Sequence, residues 1–264
     1  MKKRFIMLML IFLLPIFAFS ASEVNTLDKI LKSGKLRVGM SSFVPWAMQT
    51  KKGEWVGFEI DVARRLAQDM GVKVEFVPTK WSGIIPALLT SKFDIIIGGM
   101  GITPERALKV DFSQPYDYSG MSMVANRSKI TATKLSDFNR SDVVIAVRLG
   151  STAATVASQV FPKATIKMFD DEAQAIQELL NGRATAFVSS APLPVFLAIE
   201  HKDKLYLPVK ETFTKEPIGF AVRKGDQSFL NFLNSWITIV SSEGWLDKRK
   251  RYWFETKDWE HLIK

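Results

Sequence analysis

Between residues 98 and 116 the chain reads GGMGITPERALKVDFSQPY, an order of residue types suited to holding an anion. Gly98, Gly99 and Gly101 let backbone come close to a bound molecule. Thr103 can cap a short helix whose first position is Pro104, which puts Arg106 in the first turn. The helix field slightly disfavours a cation there. A guanidinium beside free backbone N–H groups and a threonine hydroxyl is nevertheless well suited to clamp a carboxylate bidentately. Taken alone, the same residues also fit a surface arginine after an ordinary cap.

A second such place lies at RLGSTAATVA, residues 148–157, where Gly150, Ser151 and Thr152 fall between a predicted strand and a predicted helix. Free N–H groups at a helix start and two hydroxyls make a small anion site, although a glycine turn followed by a Ser or Thr cap is common. Two such starts in facing lobes could share the oxygens of one carboxylate and report closure of a cleft. Phe43 and Trp46 in the loop SSFVPW, and Trp81 at a helix start, could line a pocket for an apolar or cationic group. Packing within a lobe is their alternative role, and it is the expected role of Trp236, Trp245, Trp253 and Trp259 in the helical tail.

Catalytic signals are thin. The 264 residues contain no cysteine and two histidines, so thiol nucleophiles, disulfides and the usual zinc clusters are excluded, and no metal or cofactor is expected. His201 and His261 lie in polar, solvated surroundings, and no G-x-S-x-G, P-loop or H-E-x-x-H motif occurs. Asp61, Asp94, Asp111 and Asp170 could supply carboxylates, but spacing pairs none of them.

The elements that must position these residues alternate. Residues 1–20, MKKRFIMLMLIFLLPIFAFS, have a basic start and a short apolar run, the layout of a cleavable signal peptide. Without Lys2, Lys3 and Arg4 the formal charge falls from +9 to +6. With no cysteine to carry a lipid, the product is expected free in a bacterial periplasm. The basic, aromatic WLDKRKRYWF reads as a solvated helix face, and no nucleic-acid partner is expected. Strands at 35–40, 73–78 and 94–100 alternate with helices, and a second set follows with strands at 143–150, 165–169 and 184–190. The pattern predicts an α/β protein of two lobes with largely parallel sheets. Lobe 1 is expected to comprise residues 21–124 plus 218–264, and lobe 2 residues 125–217.

LRVGM, GFEIDVARRLA, WSGIIPAL, FDIIIGGMGITPERALKVDFSQPY, the GST turn, NGRATAFV and EGWLDK occur in the order found in periplasmic solute-binding proteins of polar amino-acid ABC transporters, which the chain resembles over its whole mature length. The resemblance implies the type II periplasmic-binding fold, with a hinged cleft between two lobes, and a monomer serving a membrane permease. It implies that Arg106 binds a ligand α-carboxylate, helped by Thr103, Gly99, Gly101 and Thr152, with Phe43 and Trp46 at the side chain or amino end. The family's ammonium-binding aspartate is replaced here by Ser190, which cannot neutralise a cation in a closed cleft. Another acid replaces it, or the ligand has no primary ammonium, or a betaine-like cation sits against Phe43, Trp46 and Trp81. The absence of an acid around Ser41 and Ser42 argues against lysine or arginine. An enzyme alternative shares the fold: the cyclohexadienyl dehydratases, whose reaction needs a proton donor that the sequence does not identify.

Overall fold

The computed structural model describes residues 25–263, and the expected signal peptide lies outside them. Two five-stranded sheets carry the architecture. The first runs in the order Lys73–Pro78, Lys35–Met40, Ile95–Ile96, Ala221–Val222 and Asp111–Phe112. Lys35–Met40 is its parallel centre, with Lys35 opposite Lys73 through to Met40 opposite Pro78, and Val38 and Gly39 opposite Ile95 and Ile96. Leu36, Val38 and Met40 are fully buried, as the period-2 pattern of KLRVGM requires. Gly39 is needed because a Cβ there would lie 2.3 Å from the ring of Phe93. Helix Phe58–Asp69 covers the sheet through Val62, Ala63, Leu66 and Ala67, an i, i+3, i+4 stripe.

The second sheet has the order Thr165–Phe169, Val144–Arg148, Ala186–Ser190, Met121–Asn126 and Leu205–Tyr206. Its first three strands are parallel and Met121–Asn126 runs against them. The chain passes between the sheets along a two-stranded antiparallel ribbon, Asp117–Ser119 with Glu216–Ile218. This geometry shifts one expected boundary. The crossing placed between residues 124 and 125 falls inside Met121–Asn126, because the ribbon already delivers the chain to the second sheet at Met121. The return, placed between residues 217 and 218, falls within the ribbon's second strand.

Two elements are shorter than the apolar pattern predicts. Of residues 94–100 only Ile95–Ile96 form strand, since Gly99 takes a positive φ of 69° and turns the chain toward the cleft. The tail forms Gln227–Ser242, Trp245–Lys250 and one wider turn, Arg251–Glu255. It packs on lobe 1: Trp236 and Trp253 donate to Asp69 and Asp61 at 2.8 and 2.7 Å, and Arg249 pairs with Asp61 at 2.5 Å. Among the described residues no helix is long and apolar enough to cross a membrane.

Candidate functional site

A cleft of about 910 Å³ opens between the lobes. Lobe 1 gives it Trp81, Thr103 and Arg106, and lobe 2 gives it Gly150, Ser151 and Thr152. The predicted cap at Thr103 forms: its Oγ1 accepts the N–H of Arg106 at 3.2 Å, at the start of the short helix Pro104–Ala107. That one turn lifts the Arg106 side chain into the cleft. There Nη1 donates to the carbonyl of Gly101 at 2.8 Å, and Nη2 crosses to the carbonyl of Gly150 in lobe 2 at 3.1 Å. Ser151 caps the facing helix Thr152–Val160, its Oγ accepting the N–H of Ala154 at 3.3 Å and donating to the carbonyl of Arg148 at 2.6 Å.

Gly101 sits where these groups converge. A Cβ on it would lie 3.3 Å from Glu216 Oε2, 3.4 Å from the methyl of Thr152 and 3.6 Å from Arg106 Nη1. Glu216 thus brings an acid into the cleft wall beside the arginine, its Oε1 accepting the Thr214 hydroxyl at 3.0 Å. Burial lowers the basicity of Arg106; the charge of Glu216 opposes that shift and the charge of Arg148 adds to it.

The chain that builds this cleft has matching counterparts among known proteins. The family model for bacterial extracellular solute-binding proteins, family 3, matches residues 36–256. The chain belongs to that family. The L-cystine-binding protein TcyJ of Escherichia coli (strain K12) is 29% identical over 236 residues, covering 89% of this chain and 88% of TcyJ. The cyclohexadienyl dehydratase of Pseudomonas aeruginosa is 28% identical over 240 residues, covering 89% of this chain and 88% of the enzyme. The crystal structure of an ancestral amino acid-binding protein, AncCDT-1, a precursor of cyclohexadienyl dehydratase, superposes with a TM-score of 0.79 at 44% identity, covering 87% of this chain and 99% of that one.

In this family 3 solute-binding protein the predicted residues fall into three groups. Arg106, Thr103, Ser151, Thr152 and Trp81 line the cleft, and Gly101 stands behind them. Phe43, Trp46 and Gly99 form a layer beneath: Phe43 stacks on Trp46 with centroids 5.7 Å apart, Trp46 is 1% exposed against Phe58 and Phe254, and Gly99 lies against the Trp46 ring. Ser190 stands apart, half-buried at the end of Ala186–Ser190 and outside the cleft wall.

Three charged residues in or behind the site were not singled out by the sequence. Glu216 is one. The others are Arg148 and Glu172, buried at 4% and 7% exposure and paired at 3.6 Å. The guanidinium of Arg148 reaches from lobe 2 to lobe 1, where its Cζ lies 4.9 Å from the Phe43 centroid and 4.7 Å from that of Trp81. Arg148 ends the strand Val144–Arg148, two residues before the GST turn begins at Gly150; that position was the one available signal. Among the described residues no cluster of His, Cys, Asp and Glu could hold a metal ion.

Proposed function

We propose that the protein is an exported receptor that captures a small, amino-acid-like carboxylate between its lobes and presents it to the permease of an ABC importer. The observation that carries this reading is the Arg106 bridge. Its guanidinium is bonded to two carbonyls, one from each lobe, with capped helix starts on either side. Neutral carbonyls are weaker partners than a carboxylate, so an arriving carboxylate can take the same N–H groups and gain a charge-assisted pair. Because one side of the clamp belongs to each lobe, binding favours the closed population. Amino-acid-binding relatives, the apolar leader at residues 1–20 and the cysteine-free sequence support an unanchored receptor in the periplasm.

Glu216 takes the part of the acid missing at position 190. It lies against the same Gly101 as Arg106, so a zwitterion can place its carboxylate on one and its ammonium toward the other. Calorimetry with a panel of amino acids, their keto-acid analogues and betaines tests both assignments. Arg106→Ala should abolish binding of every hit. Glu216→Gln should weaken the amino acids and spare the keto acids. Wild-type affinity in Arg106→Ala would overturn the reading.

Glu216 also keeps the enzyme alternative alive, because a carboxyl in the cleft wall is the type of group that could protonate a departing hydroxyl while carbon dioxide leaves. Incubation with prephenate, followed by absorbance of phenylpyruvate, decides between the two. Turnover that disappears in Glu216→Gln would make the protein a dehydratase.

A further inference from the structure

A pair of aromatic rings flanked by a buried carboxylate is a site for a guanidinium or ammonium group. Here such a pair exists, and the cation against it is the protein's own. Phe43 comes from the loop after the central strand of lobe 1 and Trp81 from the turn Trp81–Gly83; Arg148 lies within 5 Å of both ring centroids. Behind it stands Glu172, whose Oε1 lies 3.6 Å from Arg148 Nε and accepts the Ser189 hydroxyl at 3.0 Å. The fit is loose for a buried charge. Arg148 Nη1 reaches the Ser42 carbonyl only at 3.5 Å, while Arg148 Nε and Glu172 Oε2 are buried without a hydrogen bond. Burial pushes the arginine toward lower and the glutamate toward higher pKa in spite of their attraction. A pair so poorly satisfied is weak as a stabilising device. It does have one clear consequence, which is that it fills the aromatic pair.

We propose that Phe43, Trp81, Glu172 and Ser189 form a guanidinium-binding slot that Arg148 occupies in cis, so that Arg148 is a specificity-determining residue excluding ligands with a cationic side chain. The inference rests on the carboxylate reading of Arg106 and narrows it. The ligand is a compact carboxylate whose side chain is not cationic, and a methylated cation is kept from these rings for the same reason.

The test uses the full mature chain, with L-arginine and methylguanidinium as probes. In Arg148→Ala the slot is vacated while Glu172 remains; in Arg148→Met it stays filled without charge. L-arginine, bound weakly or not at all by the wild type, should bind Arg148→Ala at least about tenfold more tightly and Arg148→Met no better than the wild type. A role in packing alone would move both variants together. Methylguanidinium carries no carboxylate, so it reads the slot whether or not Arg106 holds one. It should raise the melting temperature of Arg148→Ala in proportion to the logarithm of its concentration and leave the wild type unmoved. If Arg148→Ala folds poorly, refolding it in methylguanidinium should restore the folded form. Wild-type protein that binds L-arginine as tightly as Arg148→Ala overturns the proposal, as does an alanine variant that responds to neither probe. Loss of the carboxylate reading shows separately, as Arg106→Ala that binds like wild type.

Discussion

Arg106 and Arg148 are the same side chain in two settings, 42 positions apart in sequence, and each reaches from its own lobe to the other. Trp81 serves both, with Cζ atoms 5.8 and 4.7 Å from its centroid. Arg106 is half-buried and bonded only to carbonyl oxygens, whereas Arg148 is 4% exposed and set against a carboxylate and two aromatic faces. The difference lies in how much of each charge the protein itself engages. A guanidinium engaged by neutral carbonyls keeps its charge available to a ligand, while one already facing a carboxylate has spent most of it inside the protein.

The largest effect should come from removing the available charge. Arg106→Ala should reduce affinity for any carboxylate hit by on the order of 100-fold or more, about 3 kcal/mol, because truncation leaves the ligand anion unpaired in a partly dry cleft. Melting temperature should hardly change, since Arg106 makes no carboxylate pair that folding depends on. If affinity falls less than in Arg148→Ala, measured with the same ligand by calorimetry, the roles of the two arginines are reversed.

Two buried acids repeat the contrast. Glu172 faces a cation, but Glu59 has none: it is fully buried, accepts the Tyr116 hydroxyl on both oxygens at 2.9 and 2.8 Å, and feels Asp117 as a further negative charge. Burial is the main cause that raises its pKa from about 4.5 to about 8. Below 4.5 both folded and unfolded chains hold the proton. Between 4.5 and 8 the unfolded chain releases it and the folded one keeps it, so stability falls as pH rises across that window and levels off above it. Glu59→Gln, which cannot titrate, should flatten that slope in urea unfolding measured from pH 4 to 9. An unchanged slope would place the titration elsewhere, Asp117 being the nearest alternative.

A more moderate effect is expected at Gly101. No positive φ forces glycine there, so alanine is conformationally allowed and the cost is steric. A methyl 3.3 to 3.6 Å from Glu216, Thr152 and Arg106 should displace the clamp and weaken carboxylate binding by about tenfold, with little loss of folding stability. Ligand affinity equal to wild type would mean that the bound carboxylate lies away from this convergence.

What the sequence made legible follows from how local each feature is. Thr103, Pro104 and Arg106 form one turn, and Ser151 with Thr152 starts another, so cap chemistry alone made both helix starts readable. Lys35–Met40 was equally readable, because its burial and period-2 pattern are set within the strand and its neighbours. The split of the returning chain between the ribbon strand Glu216–Ile218 and Ala221–Val222 was not readable, since the partners that divide them lie about a hundred residues earlier. The Arg148–Glu172 pair and Glu216 were hidden for the same reason. Glu216 lies in the ribbon that carries the chain back from lobe 2, and only the folded hinge brings it against Gly101. The aromatic residues at 43 and 81 were read as the lining for an apolar or cationic group or as packing within a lobe, and composition cannot reveal that an internal guanidinium lies against both.

The smallest effect should come from the exposed counterpart of these inter-lobe contacts. Lys80 of lobe 1 reaches Asp170 of lobe 2 at 2.6 Å, the same crossing that Arg106 and Arg148 make, but with side chains 73% and 44% exposed. The Asp170 carboxylate raises the lysine pKa. Solvent and salt screen such a pair, and ordering two mobile side chains offsets most of the attraction. Lys80→Ala should therefore change ligand affinity by less than about threefold, and the small difference should vanish in calorimetry as salt is raised from 20 to 500 mM. A loss as large as that of Arg106→Ala, persisting at high salt, would show that closure depends on this rim rather than on the two less exposed arginines. The ordering by burial would then fail, because it predicts that equal-looking bridges between the lobes contribute in proportion to how completely they leave water.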